Sequence, residues 1–112
     1  MDEKLKIMVV DDERIVRESL FHWFKRWGHA VVAVSSGFEA LERIEKTPFE
    51  VLFLDIKMPG MSGLEVLKKV KEEYPDTLVV IITAYGSVES AVEAMKLGAS
   101  AVSYTHLRAH ET

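Results

Sequence analysis

Four side chains suited to binding a metal ion or a phosphate follow the apolar runs of this sequence. Asp11 and Asp12 come directly after the first run, Asp55 follows the third, and Thr83 ends the fourth. If the runs are neighbouring parallel strands, their carboxyl ends meet at one edge of the sheet, where ligands bind. Three clustered carboxylates repel one another unless a cation is present. Mg²⁺ prefers oxygen ligands and commonly bridges a carboxylate to a phosphate, so the pattern predicts a magnesium site.

Each of these residues also has a simpler structural explanation. Asp is a favoured residue at helix N-caps, so Asp12 could cap the helix that follows it. Asp55 precedes K-M-P-G, which is ordinary turn chemistry. A lone Thr83 in a β-branched run is most simply a strand residue. The coincidence of all of them at equivalent strand ends favours the metal site over three separate explanations.

Composition and motifs exclude several other kinds of chemistry. The 112 residues include no cysteine, so thiolate catalysis and disulfides are ruled out, and the net charge of −4 argues against strong nucleic-acid binding by this chain. No G-x-x-x-x-G-K-[ST] or G-x-G-x-x-G motif and no Ser-His-Asp arrangement is visible. The apolar run around Leu78 to Ala84 falls far short of the roughly 20 residues that span a bilayer. We therefore expect a cytoplasmic domain without membrane contact.

The elements that position these residues alternate in type along the chain. Val- and Ile-rich runs predict strands at Lys6–Val10, Ala30–Val34, Val51–Leu54 and Leu78–Thr83, with a fifth strand starting near Ala99. Helical patterns occupy Glu13–Trp27, Ser36–Lys46, Ser62–Tyr74 and Ser87–Leu97. Near-continuous apolar runs are typical of strands that are buried on both faces. Strict alternation of strands and helices predicts an α/β fold with a doubly wound parallel sheet.

Apolar spacing within the helical patterns predicts which side chains face inward. One face of each of the first three helices collects the apolar residues: Val16, Leu20, Trp23, Phe24 and Trp27; Phe38, Leu41 and Ile44; Leu64, Leu67 and Val70. Val88, Val92 and Met95 form a single stripe on the fourth. The second and third helices open with S-G-F-E and S-G-L-E, which predict capping boxes at Ser36 and Ser62.

Three stretches of the sequence together resemble a bacterial response-regulator receiver domain. They are K-I-M-V-V-D-D-E at 6–13, L-D-I-K-M-P-G-M-S-G at 54–63 and I-I-T-A-Y-G-S at 81–87. The resemblance runs from about residue 4 to residue 99 and implies a flavodoxin-like, five-stranded sheet in the order 2-1-3-4-5. The stretch T-A-Y-G-S-V-E-S-A-V-E-A-M-K-L-G-A is most similar to the nitrogen-regulator subfamily, whose members activate sigma-54 polymerase.

The resemblance assigns a role to each candidate residue. Asp55 is expected to accept a phosphoryl group from a histidine kinase. Asp12, Asp55 and the backbone carbonyl of Lys57 are expected to bind Mg²⁺, while Asp11 orients the ion through water. Thr83 is expected to hydrogen-bond the phosphoryl group once Asp55 carries it. Family members tune phosphoryl lifetime at the positions of Lys57 and Tyr85.

The end of the sequence departs from the family pattern. Receivers have a Lys-Pro pair after the fifth strand and then a fifth helix, whereas Thr105 and His106 stand where that pair is expected. Residues 102–112 resemble the translation of a transposase sequencing adapter. We therefore predict a truncated receiver domain over residues 1–101, lacking its fifth helix, and a non-native tail over 102–112. The expected full-length protein continues into an ATPase and DNA-binding output domain and forms a homodimer.

Three function classes remain distinguishable at this point. The leading prediction is a phosphorylatable signalling switch rather than an enzyme acting on a separate substrate. A metal-dependent phosphohydrolase of the haloacid type calls for D-x-D after the first strand, a cap insertion and a catalytic lysine. Here the two acids are adjacent, no insertion is seen, and the candidate nucleophile follows the third strand. A receiver that folds but is not phosphorylated is the third; intact Asp11, Asp12, Asp55 and Thr83 argue against it.

Overall fold

The computed structural model describes residues 4–83 and 88–104, which form one parallel sheet with helices on both faces. The strands are β1 (Lys6–Val10), β2 (Ala30–Val34), β3 (Val51–Asp55), β4 (Leu78–Thr83) and β5 (Ala101–Tyr104). The helices are α1 (Arg14–Arg26), α2 (Gly37–Lys46), α3 (Gly63–Glu73) and α4 (Val88–Lys96). The strand order is β2-β1-β3-β4-β5, which confirms the predicted fold class and topology. Within these residues, no helix combines the length and apolar character needed to cross a membrane.

One face of the sheet carries the larger core. Alternate residues of the central strands point to it, and α2, α3 and α4 contribute Ile44, Leu67 and Ala94 to the same cluster. The strand residues that are fully buried there include Met8, Val10, Leu52, Leu54 and Ile81. Because successive strand side chains point to opposite faces, the same register leaves the intervening residues to the other side. This layer holds the strands that carry the candidate site in fixed positions relative to one another.

The opposite face is covered less completely, by α1. Ile7 and Val9 of β1 are buried there, and the ring of Phe24 lies 4.8 Å from that of Phe53. Val51 and Phe53 of β3 nevertheless stay partly exposed. The expectation that every strand is buried on both faces is therefore correct for β1 and wrong for β3. The physical reason is that, among the described helices, α1 is the one whose contacts place it on this face, over β1 and β2.

Helix α1 buries a narrower stripe than its sequence predicts. Val16 is buried, but Trp23 and Trp27 are 51% and 62% exposed, so their assignment to the core was wrong. Their rings lie 5.5 Å apart and pack on each other along the solvent side of the helix. The buried and half-buried side of the helix runs through Val16, Leu20, Phe21 and Phe24, so Trp23 lies on its flank, and Trp27 follows the last helical residue.

The helix starts are close to the predicted positions. Ser36 caps α2 by accepting from the Glu39 N–H, but the Glu39 carboxylate accepts from the N–H of Ser35 rather than from that of Ser36. The prediction for α3 is confirmed in full, because Ser62 and Glu65 form a reciprocal capping box. At the start of α1, Glu13 is the N-cap residue. The alternative that Asp12 serves as a helix cap is therefore set aside.

The inward faces of α2 to α4 differ from the sequence pattern at single positions. In α3, Leu67 and Val70 are buried as predicted, and Leu64 packs against the core. Phe38, predicted to point inward from α2, is instead 60% exposed, and Ala40 and Ile44 face the core. On α4 the stripe containing Val92 and Met95 is exposed, whereas Ala94 is buried; the Val88 side chain lies outside the described residues. On α2 and α4 the large side chains of Phe38, Val92 and Met95 thus face outward, whereas Ala40 and Ala94 belong to the core.

Candidate functional site

The structure brings the three predicted carboxylates together at the carboxyl edge of the sheet. Asp11 and Asp12 directly follow β1, and Asp55 is the last residue of β3. These strands are neighbours, with Val10 paired to Leu54, so both acidic segments leave the sheet at the same level. One carboxylate oxygen from each residue lies within 4.8 Å of the other two. The arrangement is thus a compact cluster of oxygen donors with one exposed member, Asp12.

Asp11 is the most deeply buried member of the cluster. Its carboxylate accepts a hydrogen bond from the Glu13 N–H at 2.8 Å, and its own N–H donates to the Val34 carbonyl at 3.2 Å. Burial raises the pKa of Asp11 to about 6, against the lowering effect of the Glu13 hydrogen bond, and the neighbouring Asp12 raises the pKa further. Desolvation disfavours the charged form of a carboxyl group. Asp11 is therefore held in place but poorly compensated in charge.

Asp55 shows the larger perturbation. It is only 9% exposed, and its carboxylate accepts a long hydrogen bond of 3.4 Å from the Lys57 N–H. Burial raises the pKa of Asp55 to about 7, and the carboxylate of Asp11 is the next largest contribution in the same direction. A buried carboxyl group with a neighbouring like charge is a typical functional-site arrangement. Because its neighbours in the cluster are also carboxylates, a bound cation would stabilise the charged form of Asp55.

The other predicted site residues lie around this cluster. Thr83 ends β4 with its side chain buried, and β4 pairs with β3 so that Ile82 stands opposite Asp55. Thr83 is thus one residue beyond the level of Asp55 on the adjacent strand. The side chain of Lys57 is exposed just past β3. Tyr85, predicted as a tuning residue, and Thr105 with His106 lie outside the described residues.

Two residues that sequence reasoning did not single out support the site. A Cβ at Gly63 would lie 2.7 Å from the Cα of Ile56 and closer still to the carbonyl oxygen of Asp55. The Gly63 N–H also donates to the Ile56 carbonyl at 2.8 Å. Arg17 reaches back from α1, and its Nη1–H donates to the backbone carbonyl of Asp11 at 2.9 Å. In the sequence, Gly63 is the last residue of M-P-G-M-S-G, and a glycine is the residue type that allows two backbone segments to approach closely. Arg17 carried no sequence signal stronger than its place on the helix.

The residues present fit a hard divalent cation. Three carboxylate oxygens close together, two of them on largely buried residues, form the kind of donor set that Mg²⁺ takes from proteins, with water completing its shell. Burial, followed by the neighbouring carboxylates, raises the pKa values of Asp11 and Asp55, so the charged form of both groups is disfavoured at this place. A cation bound there removes that penalty. The donor set contains no sulfur, and the chain has no cysteine that could add one.

The sequence of this chain is similar to those of known proteins. A family model described as the response regulator receiver domain matches residues 7–102. The chain is 40% identical over 97 residues to the transcriptional regulatory protein ZraR of Klebsiella oxytoca, which covers 87% of this chain and 22% of that relative. It is 36% identical over 94 residues to the sporulation initiation phosphotransferase F of Bacillus subtilis, covering 84% of this chain and 76% of the relative.

The fold agrees with these matches. The chemotaxis protein CheY4 of Vibrio cholerae, whose structure has been solved, superposes with a TM-score of 0.86 at 30% sequence identity. The superposition covers 91% of this chain and 87% of that one. NtrX from Brucella abortus superposes with a TM-score of 0.84 at 31% identity over 89% of this chain and 23% of its own. The chain thus spans only about a fifth of the length of ZraR and NtrX.

Proposed function

The chain belongs to the family of response regulator receiver domains, and we propose that Asp55 is its phosphoacceptor. The observation that carries this proposal is the position of Asp55, which ends β3 with its carboxyl group beside those of Asp11 and Asp12. Burial and the neighbouring Asp11 raise the pKa of Asp55 to about 7, which supports a functional role for this carboxyl group. Family membership argues against the phosphohydrolase alternative, because receivers are signalling domains of two-component systems.

The proposed reaction transfers one phosphoryl group to Asp55. A carboxylate oxygen of Asp55 forms a bond to the phosphorus of a phosphohistidine, the phosphorus–nitrogen bond breaks, and the released imidazole nitrogen takes a proton from water. The product is an acyl phosphate. Because such transfers depend chiefly on positioning and charge neutralisation, the protein needs to hold the nucleophile rather than supply a strong base. The strand end and the Lys57 N–H hold the Asp55 carboxylate at its place.

Asp12, Asp55 and the carbonyl of Lys57 are the groups proposed to bind Mg²⁺ directly, with Asp11 acting through water. When bound, the ion neutralises charge on the phosphoryl oxygens. Asp12 is the exposed member of the cluster and therefore the one best placed to meet an ion arriving from solvent. Asp11 is buried, and its carboxylate accepts a hydrogen bond from the Glu13 N–H. Such a fixed carboxylate suits a residue that orients the ion through a water molecule instead of binding it directly.

Thr83 is proposed to bond the phosphoryl group after transfer. Its position next to Asp55 on the adjacent strand supports this role. A phosphoryl group adds roughly −1.5 to −2 charge, which suffices to attract a hydroxyl group and the segment that follows it. In this chain that segment leads towards α4, so the bond would couple the site to a helix surface. Lys57 and Tyr85 are proposed to tune the lifetime of the acyl phosphate.

The partners are proposed from the family and from the longer relatives. A histidine kinase would supply the phosphoryl group. ZraR is named as a transcriptional regulatory protein, and we propose that a full-length form of this chain likewise controls transcription in the cytoplasm. It would do so through an ATPase of the sigma-54 activator type and a DNA-binding segment, and it would form a homodimer. Within the chain, residues 1–101 are proposed as the receiver and 102–112 as an adapter-derived tail; Ala101–Tyr104 still forms β5.

The test is phosphorylation by a small donor. Incubation with acetyl phosphate and Mg²⁺ should add the mass of one phosphoryl group, measured on the intact protein. The Asp55→Asn variant should gain none, whereas Asp76→Asn, which changes an exposed carboxylate in the α3–β4 connection, should label like the wild type. Equal labelling of the Asp55→Asn variant, or no labelling of the wild type, would contradict the proposal; the second outcome favours a receiver that is not phosphorylated.

A further inference from the structure

The β1–α1 connection is held by hydrogen bonds on three groups of Asp11. Its N–H donates to the Val34 carbonyl, its carboxylate accepts from the Glu13 N–H, and its carbonyl accepts from Arg17 Nη1–H at 2.9 Å. The first bond joins the backbone of Asp11 to that of β2, and the second joins the Asp11 side chain to the backbone two residues further on. The third comes from a side chain on the first turns of α1. A side chain of α1, that of Arg17, thus bonds the backbone of this acidic pair directly.

The geometry points to Arg17 as a positioning residue for the Mg²⁺ site. A peptide unit is planar, so the Asp11 carbonyl and the Asp12 N–H belong to one rigid group. By holding that carbonyl, the guanidinium fixes the orientation of the unit that joins the two carboxylates. We infer that Arg17 sets the direction in which Asp12 leaves the chain, an inference that rests on the proposed function of the cluster. Arg17 itself would touch neither the ion nor the phosphoryl group.

The chemistry of arginine suits this task. A guanidinium offers several N–H donors in a fixed planar geometry, which suits a directed hydrogen bond to a carbonyl oxygen. A hydrogen bond from a charged donor is shorter and stronger than a neutral one. Arg17 is also partly buried, which shields that bond from competing water. Its positive charge lies close enough to Asp11 to oppose, as the smallest contribution, the rise in the pKa of that carboxyl group.

A second arginine on the same helix separates positioning from charge. Arg14 carries the same charge one turn earlier, but its guanidinium bonds the Glu18 carboxylate at 3.0 Å with both side chains largely exposed. Such surface pairs contribute little to stability. Arg14→Ala thus removes one positive charge near the site without removing a bond to the β1–α1 connection. It is the matched control for the variants at position 17.

The test is a titration with MgCl₂ alone, followed by NMR chemical shifts of the backbone amides. Arg17→Met keeps the apolar stem and should raise the dissociation constant about tenfold, the lower end of the usual effect of groups that orient metal ligands. Arg17→Lys, which keeps a donor and the charge, should recover part of the loss. Arg14→Ala should stay within about twofold of the wild type. Thermal melting in EDTA checks that every variant is folded at the temperature of titration.

A second readout needs no metal. In EDTA, the amide N–H groups of Asp12 and Glu13 should exchange with solvent faster in Arg17→Met than in the wild type or in Arg14→Ala. If Arg17→Met binds Mg²⁺ as tightly as the wild type, or weakens it no more than Arg14→Ala does, the positioning role is overturned while the proposed site stands. If the wild type itself shows no Mg²⁺-dependent shifts, or if Asp12→Ala does not abolish them, the proposed function fails instead.

Discussion

The backbone of Gly63, at the start of α3, packs directly against the carbonyl group of Asp55 at the end of β3. A Cβ at position 63 would overlap that carbonyl oxygen and would lie 2.7 Å from the Cα of Ile56. The obstacle is backbone, which cannot rotate away as a side chain can. The first turn of α3 therefore packs on Asp55, the residue proposed to receive the phosphoryl group. The absence of a side chain at position 63 allows Asp55 to occupy its observed position.

Gly63→Ala should displace Asp55 and destabilise the domain. Overpacking against fixed backbone typically costs about 1–3 kcal/mol, and the rate of labelling by acetyl phosphate should fall as well. Gly28→Ala is the control, because a Cβ there meets no atom within 4 Å and only the positive φ of 93° opposes it. Urea unfolding and intact-mass kinetics measure the two effects. Labelling that is equally fast in Gly63→Ala and Gly28→Ala would show that the contact does not set the position of Asp55.

Removing the charge of Asp55 should stabilise the metal-free protein at neutral pH. The folded-state pKa values of Asp55 and Asp11, about 7 and about 6, both lie above the ordinary carboxyl value of 3.8. Between pH 4 and 7 the folded state therefore binds more protons than the unfolded state, and these groups lower stability as pH rises. Asp55→Asn should thus gain on the order of 2 kcal/mol at pH 8 in EDTA and almost nothing at pH 4.

Denaturant unfolding at pH 4, 6 and 8 checks this dependence. Saturating Mg²⁺ should reverse the order at pH 8, because the ion binds the folded wild type and not the unfolded chain. Asp76→Asn, an exposed carboxylate, should show no such pH dependence. A stability difference for Asp55→Asn that stays constant across the three pH values would mean that the burial and crowding of Asp55 are not felt as an electrostatic penalty.

Thr83 and Thr77 are both buried, and they should respond differently to replacement by valine. Thr77 lies at the amino edge of the sheet, where its hydroxyl donates to the Phe49 carbonyl at 2.8 Å. Thr77→Val should lose about 1 kcal/mol of stability and leave the NMR shifts in α4 on phosphorylation unchanged. Thr83→Val should still accept a phosphoryl group on Asp55, but the accompanying NMR shifts in α4 should be lost. Retention of those shifts in Thr83→Val would remove the threonine from the proposed switch.

Replacing the end of the chain should raise its stability. Val51, Phe53 and Val80 are partly exposed on the α1 side of the sheet, and Trp27 is largely exposed. A version in which residues 102–112 give way to a fifth strand, a Lys-Pro pair and an amphipathic helix should cover this surface. Burying a few hundred Å² at about 25 cal/mol per Å² amounts to several kcal/mol. Equal melting temperatures for the two chains would contradict the prediction that 102–112 is a non-native tail.

The exposed aromatic residues mark the limit of reasoning from sequence alone. The alternation of strands and helices was predictable from the sequence, and the strand order from the resemblance to receiver domains. Once β1 and β3 are neighbours, the meeting of Asp11 with Asp55 follows, because parallel strands end at one edge of the sheet. Trp23, Trp27 and Phe38 were misassigned because large apolar residues in a helical pattern look alike whether or not a neighbour covers them. Arg17 was missed because its partner is a backbone carbonyl, and such bonds depend on how a loop turns. The side that a residue faces follows from its position within the helix or strand. Whether that side is buried depends on the elements, distant in sequence, that pack against it.

The unequal cover of the two sheet faces has a consequence for how the native state opens. The face with α2, α3 and α4 holds the larger core, whereas α1 packs mainly on β1 and β2 with Val16 as its buried residue. Cooperative units with fewer buried contacts open at lower free energy than the global transition. Native-state hydrogen exchange should therefore show α1 and the edge strand β2 exchanging as a weaker unit. Since the β1–α1 connection carries Asp11 and Asp12, each such opening would also displace two of the three carboxylates of the acidic cluster.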